Sequence, residues 1–140
     1  MAATKSGIRE KAQTLVESLV AALSQTIERE SLLRFIPYVQ MHEFEAFMFS
    51  DTAAFADAIG RPDLQRNFET IRLTFKTPEH IDNSPVTAPS KRILALYPAY
   101  EKPLMGERAA RAIGLPIIRN ECPLFSAWLS KLESLPALSA

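Results

Sequence analysis

Three neighbouring side chains in the segment RFIPYVQMHEFEAFMFSD, residues 34–51, carry candidate chemistry: His42, Glu43 and Glu45. An imidazole nitrogen with a carboxylate oxygen suits zinc or manganese, whereas carboxylates alone suit magnesium. A helix beginning at Met41 would set His42 and Glu45 three residues apart on one face, within reach of one metal ion, and would turn Glu43 elsewhere. Two ligands do not complete a site. The competing reading is structural: His42 hydrogen-bonds the end of the preceding element, and Glu45 is solvated.

A second polar group follows at Glu79, His80 and Asp82, and then the loop DNSPVTAPS, residues 82–90. Ser84, Thr87 and Ser90 precede the basic pair Lys91 and Arg92. Hydroxyls, amides and a helix start favour an anion, so Lys91 and Arg92 are candidate phosphate contacts. The glycine spacing of a P-loop is missing, which excludes a nucleoside-triphosphate motif of that kind. The alternative is a capped turn with solvated charges. Cys122 would need a base to act as a nucleophile, and only His42 and His80 are on hand; a structural thiol is the simpler role. Tyr97 and Tyr100, with Lys102, offer either base stacking or packing beside a proline turn.

The elements that must position these groups are mostly helical. Ile8, Ala12, Leu15, Val16, Leu19, Val20, Leu23 and Ile27 recur at three- and four-residue spacings, predicting a helix over residues 5–30 with one broad apolar face. Its polar face is mixed rather than basic, which argues against a membrane-surface helix. Residues 33–40 hold strand formers, Phe35, Ile36, Tyr38 and Val39, and predict the one strand, which Pro37 either restricts to a sheet edge or frays at its own end. A lone strand needs partners from another chain or from further sequence. His42–Phe49 turns helical with Phe44, Phe47 and Met48 inward. Ser50 or Asp51 caps a helix over 52–59 that Gly60 ends. Helices follow over 62–75, over 90–97 with Ser90 as the cap, over 102–113 ending at Gly114, over 116–121, and from Pro123 with Leu124, Phe125, Trp128, Leu129, Leu132 and Leu135 on one stripe.

With 140 residues, 47% hydrophobic, the chain is long enough for a core without staples, and one domain is expected over 1–140: an N-terminal helix over 1–32, a strand–HEFE unit over 33–60 and a helical remainder over 61–140. Sixteen acidic and sixteen basic side chains cancel, so bulk charge selects no polyanion partner. One cysteine cannot make an internal disulfide, and no apolar run reaches the ~18 residues of a membrane span. A cytoplasmic location and no membrane partner are the expectation. Charge is divided locally: residues 41–82 carry eight acidic groups against four basic, and residues 91–119 six basic against two acidic. An acidic metal-binding cluster beside a phosphate-holding surface is the division a nuclease needs; two solvated faces give the same count.

The stretches PYVQMHEFEAFMFSD, TPEHIDNSPVTAPSKRILALYPAYEK and MGERAARAIGLPIIRNECPLFSAWLSKLE resemble a bacterial family of unknown function, associated with RloG-type restriction-linked genes and distantly Toprim-like. The resemblance covers residues 34–133. It implies metal-dependent phosphodiester chemistry with Mg2+ or Mn2+ in phage defence, at times beside an ATPase partner. In a Toprim fold a glutamate after the first strand and an acidic pair after a later one hold magnesium. Those motifs lie upstream of HEFE, and here one helix precedes it, so the resemblance implies the C-terminal part of an α/β Toprim-like domain.

The expectation is therefore a mainly α chain with one or few β-strands, belonging to a metal-dependent nuclease that acts on nucleic acid. His42 and Glu45 are its metal ligands, Glu43 and Glu45 its catalytic carboxylates, and Lys91 and Arg92 its phosphate contacts. The alternative is a non-catalytic helical interaction or dimerisation module, with a homo-oligomer formed through the strand.

Overall fold

The computed structural model describes residues 7–81 and 84–136. The chain divides into two compact units, one within Met1–Met41 and Leu124–Ala140, the other His42–Pro123.

In the first unit, helix α1 spans Ile8–Leu23 and the single turn α2 spans Arg29–Leu32. The long helix expected over 5–30 stops early, at Ser24-Gln25-Thr26. The Ser24 hydroxyl donates to the Ala21 carbonyl at 2.7 Å, and the Thr26 hydroxyl turns back on that of Leu23 at 3.4 Å. Such side chains compete with the helical ladder. Residues 35–40 form no regular element, and no strand occurs among the described residues. This corrects the expected strand, while the mainly helical character expected of the chain is what the described residues show. Pro37 supplies no amide donor, and the Ile36 carbonyl accepts instead from the Trp128 indole N–H at 3.0 Å. Trp128 lies on helix α8, Pro123–Glu133. Tyr38 stacks on the Trp128 ring at 5.0 Å and 26° and meets Phe125 at 5.9 Å. The segment is thus held by aromatic packing and side-chain hydrogen bonds, Tyr38 on Gln40 among them, rather than by a sheet.

The second unit carries the core. A 3-10 helix over Phe44–Ser50 leads into α3, Thr52–Ala58. Asp51 is the cap, its Oδ1 accepting the amides of Ala53 and Ala54 at 3.1 and 2.9 Å. Gly60, at φ +71°, ends α3, and the Arg61 amide reaches back to the Ala56 carbonyl at 2.8 Å. That left-handed turn is one that glycine adopts without cost. A 3-10 turn over Pro62–Leu64 opens α4, Gln65–Leu73, and another turn covers Pro78–His80. Helices α5, Pro89–Leu96, α6, Lys102–Ile113, and α7, Leu115–Glu121, complete the unit.

Phe49, Phe55 and Phe68 are all fully buried. Phe55 and Phe68 stack at 4.5 Å, and Phe49 meets both rings edge-on at 5.9 Å. Tyr100 adds a fourth ring edge-on to Phe55 at 6.3 Å. Met48, Ile81, Ile93, Ala109 and Cys122 are also fully buried in this unit. Phe44, expected inward, is half exposed. Among the described residues no helix is long and apolar enough to cross a membrane.

Candidate functional site

The helical turn after residues 35–40 starts at Phe44, not at Met41, with Glu43 as its N-cap residue in an extended conformation. The helix face that would have joined His42 to Glu45 therefore does not form. The pair brought together is Glu43 and Glu45. Both carboxylates converge on the Lys102 ammonium, at 3.3 and 3.6 Å. Lys102 is the first residue of α6. Its side chain is 47% exposed, that of Glu43 26% and that of Glu45 7%. His42 stands at the start of the unit, half-buried.

Glu43 has a second task. Its Oε2 accepts the Ser90 amide at 2.7 Å and its Oε1 the Ser90 hydroxyl at 2.8 Å. Helix α5 begins at Pro89, one residue before the expected start, after Ala88, whose methyl cannot cap. Ser90 is thus a donor in the first turn, and the anion at this helix start is a carboxylate from the chain itself. Partial burial alone would raise the Glu43 pKa, but the two Ser90 bonds and the Lys102 ammonium outweigh it and hold the carboxyl below its ordinary value.

Tyr100 sits beside the pair. Its side chain is 95% buried by the measure of its 5% exposure, and its hydroxyl makes no hydrogen bond among the described residues. Burial, and then the charges of Glu45 and Glu43, push its pKa up to about 12, so it stays a protonated donor. Gly106 leaves room beside that hydroxyl: a Cβ there would meet the Tyr100 oxygen at 3.4 Å and the Phe44 ring at 3.7 Å. Buried in this way, Tyr100 does not offer a ring for base stacking. Tyr97 lies under the Arg61 guanidinium at 4.9 Å.

The candidate phosphate contacts separate. Lys91 is exposed on α5. Arg92 is tied down, with its Nε donating to the Thr87 carbonyl at 2.7 Å and its guanidinium 5.2 Å over the Phe75 ring. The loop before them is braced by a Ser84–Thr87 hydroxyl contact and by the Thr87 amide on Ser84 Oγ at 3.1 Å.

Glu79 is buried in the turn over Pro78–His80, and Asp82 lies outside the described residues. His80 Nδ1 is 2.7 Å from Thr77 Oγ1. Burial, with Lys76 and Arg72 nearby, lowers its pKa and keeps it neutral. Cys122 is fully buried, its Sγ 3.6 Å from Ser50 Oγ. Burial pushes the thiol up to about 12, so no thiolate nucleophile is available there. Lys102 joins the basic stretch to the acidic one through Glu43 and Glu45, whereas Arg61–Asp63 at 2.7 Å and Arg111–Glu107 at 2.9 Å pair within their own stretches and Arg72 pairs with Glu121 at 2.6 Å.

The sequence reading missed Lys102 as a partner of the glutamates. Its signal is a cation at the start of a helix whose first turn holds no acidic residue. The helix dipole disfavours such a cation, and carboxylates from the HEFE segment offset this.

The sequence profile of a domain of unknown function, DUF4276, matches residues 3–133. The chain belongs to this family. No curated protein and no solved structure matches it. Among the described residues of this DUF4276 chain, no three or more His, Cys, Asp or Glu side chains cluster in a way that would hold a metal ion.

Proposed function

We propose that Glu43 and Glu45 form the cation-binding end of a Toprim-like, metal-dependent phosphodiesterase that acts on nucleic acid. The supporting observation is the convergence of the two carboxylates on one ammonium, with Glu45 almost wholly buried. The donor set fits a hard cation. Magnesium is commonly held by one or two carboxylates, with waters and substrate phosphates completing its shell. Oxygen donors suit Mg2+ or Mn2+, and His42, just before the pair, would favour manganese. When bound, such an ion polarises a phosphoryl oxygen and acidifies its water.

The chain's own groups supply the rest. Glu45 presents a carboxylate screened from solvent. Glu43 fixes the start of α5 while lending its charge, and α5 also bears the exposed Lys91, the candidate phosphate contact. Tyr100 offers a hydroxyl that remains a donor. The test is thermal: Mn2+ or Mg2+ should raise the melting temperature by binding the folded state, and Glu45→Ala should remove the rise. If neither ion shifts melting at millimolar concentration, the reading is lost. Hydrolysis of single- and double-stranded DNA and RNA with Mn2+ then identifies the substrate.

The second reading is a non-catalytic interaction module. Leu15 and Leu19, at 47 and 38% exposure, stand four residues apart on α1, and Ile27 is 39% exposed beyond its end. A second copy, or the ATPase partner implied by the resemblance, would cover them. A clean monomer in sedimentation would count against self-assembly.

A further inference from the structure

Given the cation reading of the Glu43–Glu45 pair, on which this inference rests, we propose that Lys102 is a built-in competitor for the metal. Its ammonium occupies the seat between the two carboxylates, and a divalent ion enters as the lysine leaves.

Four observations carry this. First, the ammonium is shared rather than locked. Its distances of 3.3 and 3.6 Å exceed the ~2.7–2.9 Å of a charge-assisted bond. Second, the compensation is incomplete: two carboxylates face one ammonium, so one negative charge remains beside a carboxylate that is only 7% exposed. A doubly charged ion would balance the pair. Third, Lys102 can leave easily. Its side chain is 47% exposed, and it stands on the first residue of α6, where the helix dipole repels a cation. Fourth, the buried Tyr100 hydroxyl lacks an acceptor among the described residues. Water bound to a cation, or a phosphate oxygen, would satisfy it, whereas an ammonium is itself a donor with no lone pair to give.

Metal affinity would then reflect a competition. At low cation concentration the lysine offsets part of the pair's charge and the fold is held without metal. At higher concentration the ion takes the carboxylates, and the released ammonium becomes available for an anionic substrate.

The experiment is calorimetric titration of Mn2+ into the full chain as wild type, Lys102→Met and Glu45→Gln. Lys102→Met should bind Mn2+ about tenfold more tightly than wild type or better, and Glu45→Gln should bind at least about tenfold more weakly. Lys102→Gln repeats the test should the methionine variant fail to fold. In the wild type, saturating Mn2+ should speed acylation of Lys102 by an amine-reactive ester relative to Lys91, read by mass spectrometry. Equal or weaker Mn2+ binding without the lysine charge overturns the competition while leaving the cation reading intact, and unchanged Lys102 labelling at saturation does the same. Absence of Mn2+ binding in both wild type and the Lys102 variants overturns the cation reading itself and this proposal with it.

Discussion

Glu43 grips Ser90 twice, its Oε2 on the backbone amide at 2.7 Å and its Oε1 on the hydroxyl at 2.8 Å, across 47 positions of sequence. A cap usually comes from the residue just before the helix. Here Ala88 stands in that place with no polar side chain, and the service comes from the HEFE segment. Glu43→Ala should cost ~1.5–3 kcal/mol, because hydrogen bonds to a charged group are lost and the α5 amide is orphaned. Ser90→Ala removes only the hydroxyl bond and should cost about 1 kcal/mol. The double variant should fall short of the sum by ~0.5 kcal/mol or more, since the two residues share one contact. Urea unfolding of the four proteins measures this.

The same carboxylate predicts a pH dependence. The folded Glu43 pKa lies below its ordinary 4.5, so the unfolded chain takes up the proton first as acid is added. The stabilisation is complete above the unfolded value and is lost as pH falls through the folded one. His80 acts in the same direction at higher pH. Its folded pKa is lowered from 6.5, so its contribution is present above 6.5 and declines below it. Urea midpoints should fall in two steps on acidification. Glu43→Gln should flatten the lower step and His80→Gln the upper.

Phe68→Ala should be the most damaging single truncation among these. The ring is fully buried, stacked on Phe55 and edge-on to Phe49. Its loss should cost ~3–5 kcal/mol, seen as a fall in the midpoint of the circular-dichroism unfolding curve.

Trp128→Phe keeps an aromatic ring but loses the indole N–H that serves the Ile36 carbonyl. An expected cost of ~1–2 kcal/mol combines an unsatisfied carbonyl with weaker stacking on Tyr38. Proteolysis should become faster at residues 33–41, because this segment has no regular element to fall back on.

Cys122 should resist alkylation in the native protein at mildly alkaline pH and react at an ordinary rate in denaturant. Its burial and its pKa of about 12 leave almost no thiolate. Rapid native labelling would contradict the buried position.

Local chemistry in the sequence translated well into structure. Asp51 as a cap, Gly60 and Gly114 as stops, and Pro123 as a first-turn residue are each decided within a few positions, and each lies where the residue type demands. The strand expected at 33–40 depended on partners that no local pattern supplies, and Trp128, far along the chain, settled that segment differently. The site was half legible. Glu43 and Glu45 were visible as carboxylates, but their meeting depends on where the turn starts, one or two residues that periodicity does not resolve. Their partners Ser90 and Lys102 come from helices distant in sequence.

The chain holds one tryptophan and one cysteine, and they fall in different units, Trp128 within Leu124–Ala140 and Cys122 within His42–Pro123. Each unit therefore carries its own natural reporter, indole emission for one and thiol accessibility for the other. Coincident midpoints from the two would be evidence for a single cooperative transition. A curve followed by fluorescence alone describes the smaller unit, and the Phe49–Phe55–Phe68 core and the Glu43–Glu45–Lys102 cluster are read through the thiol.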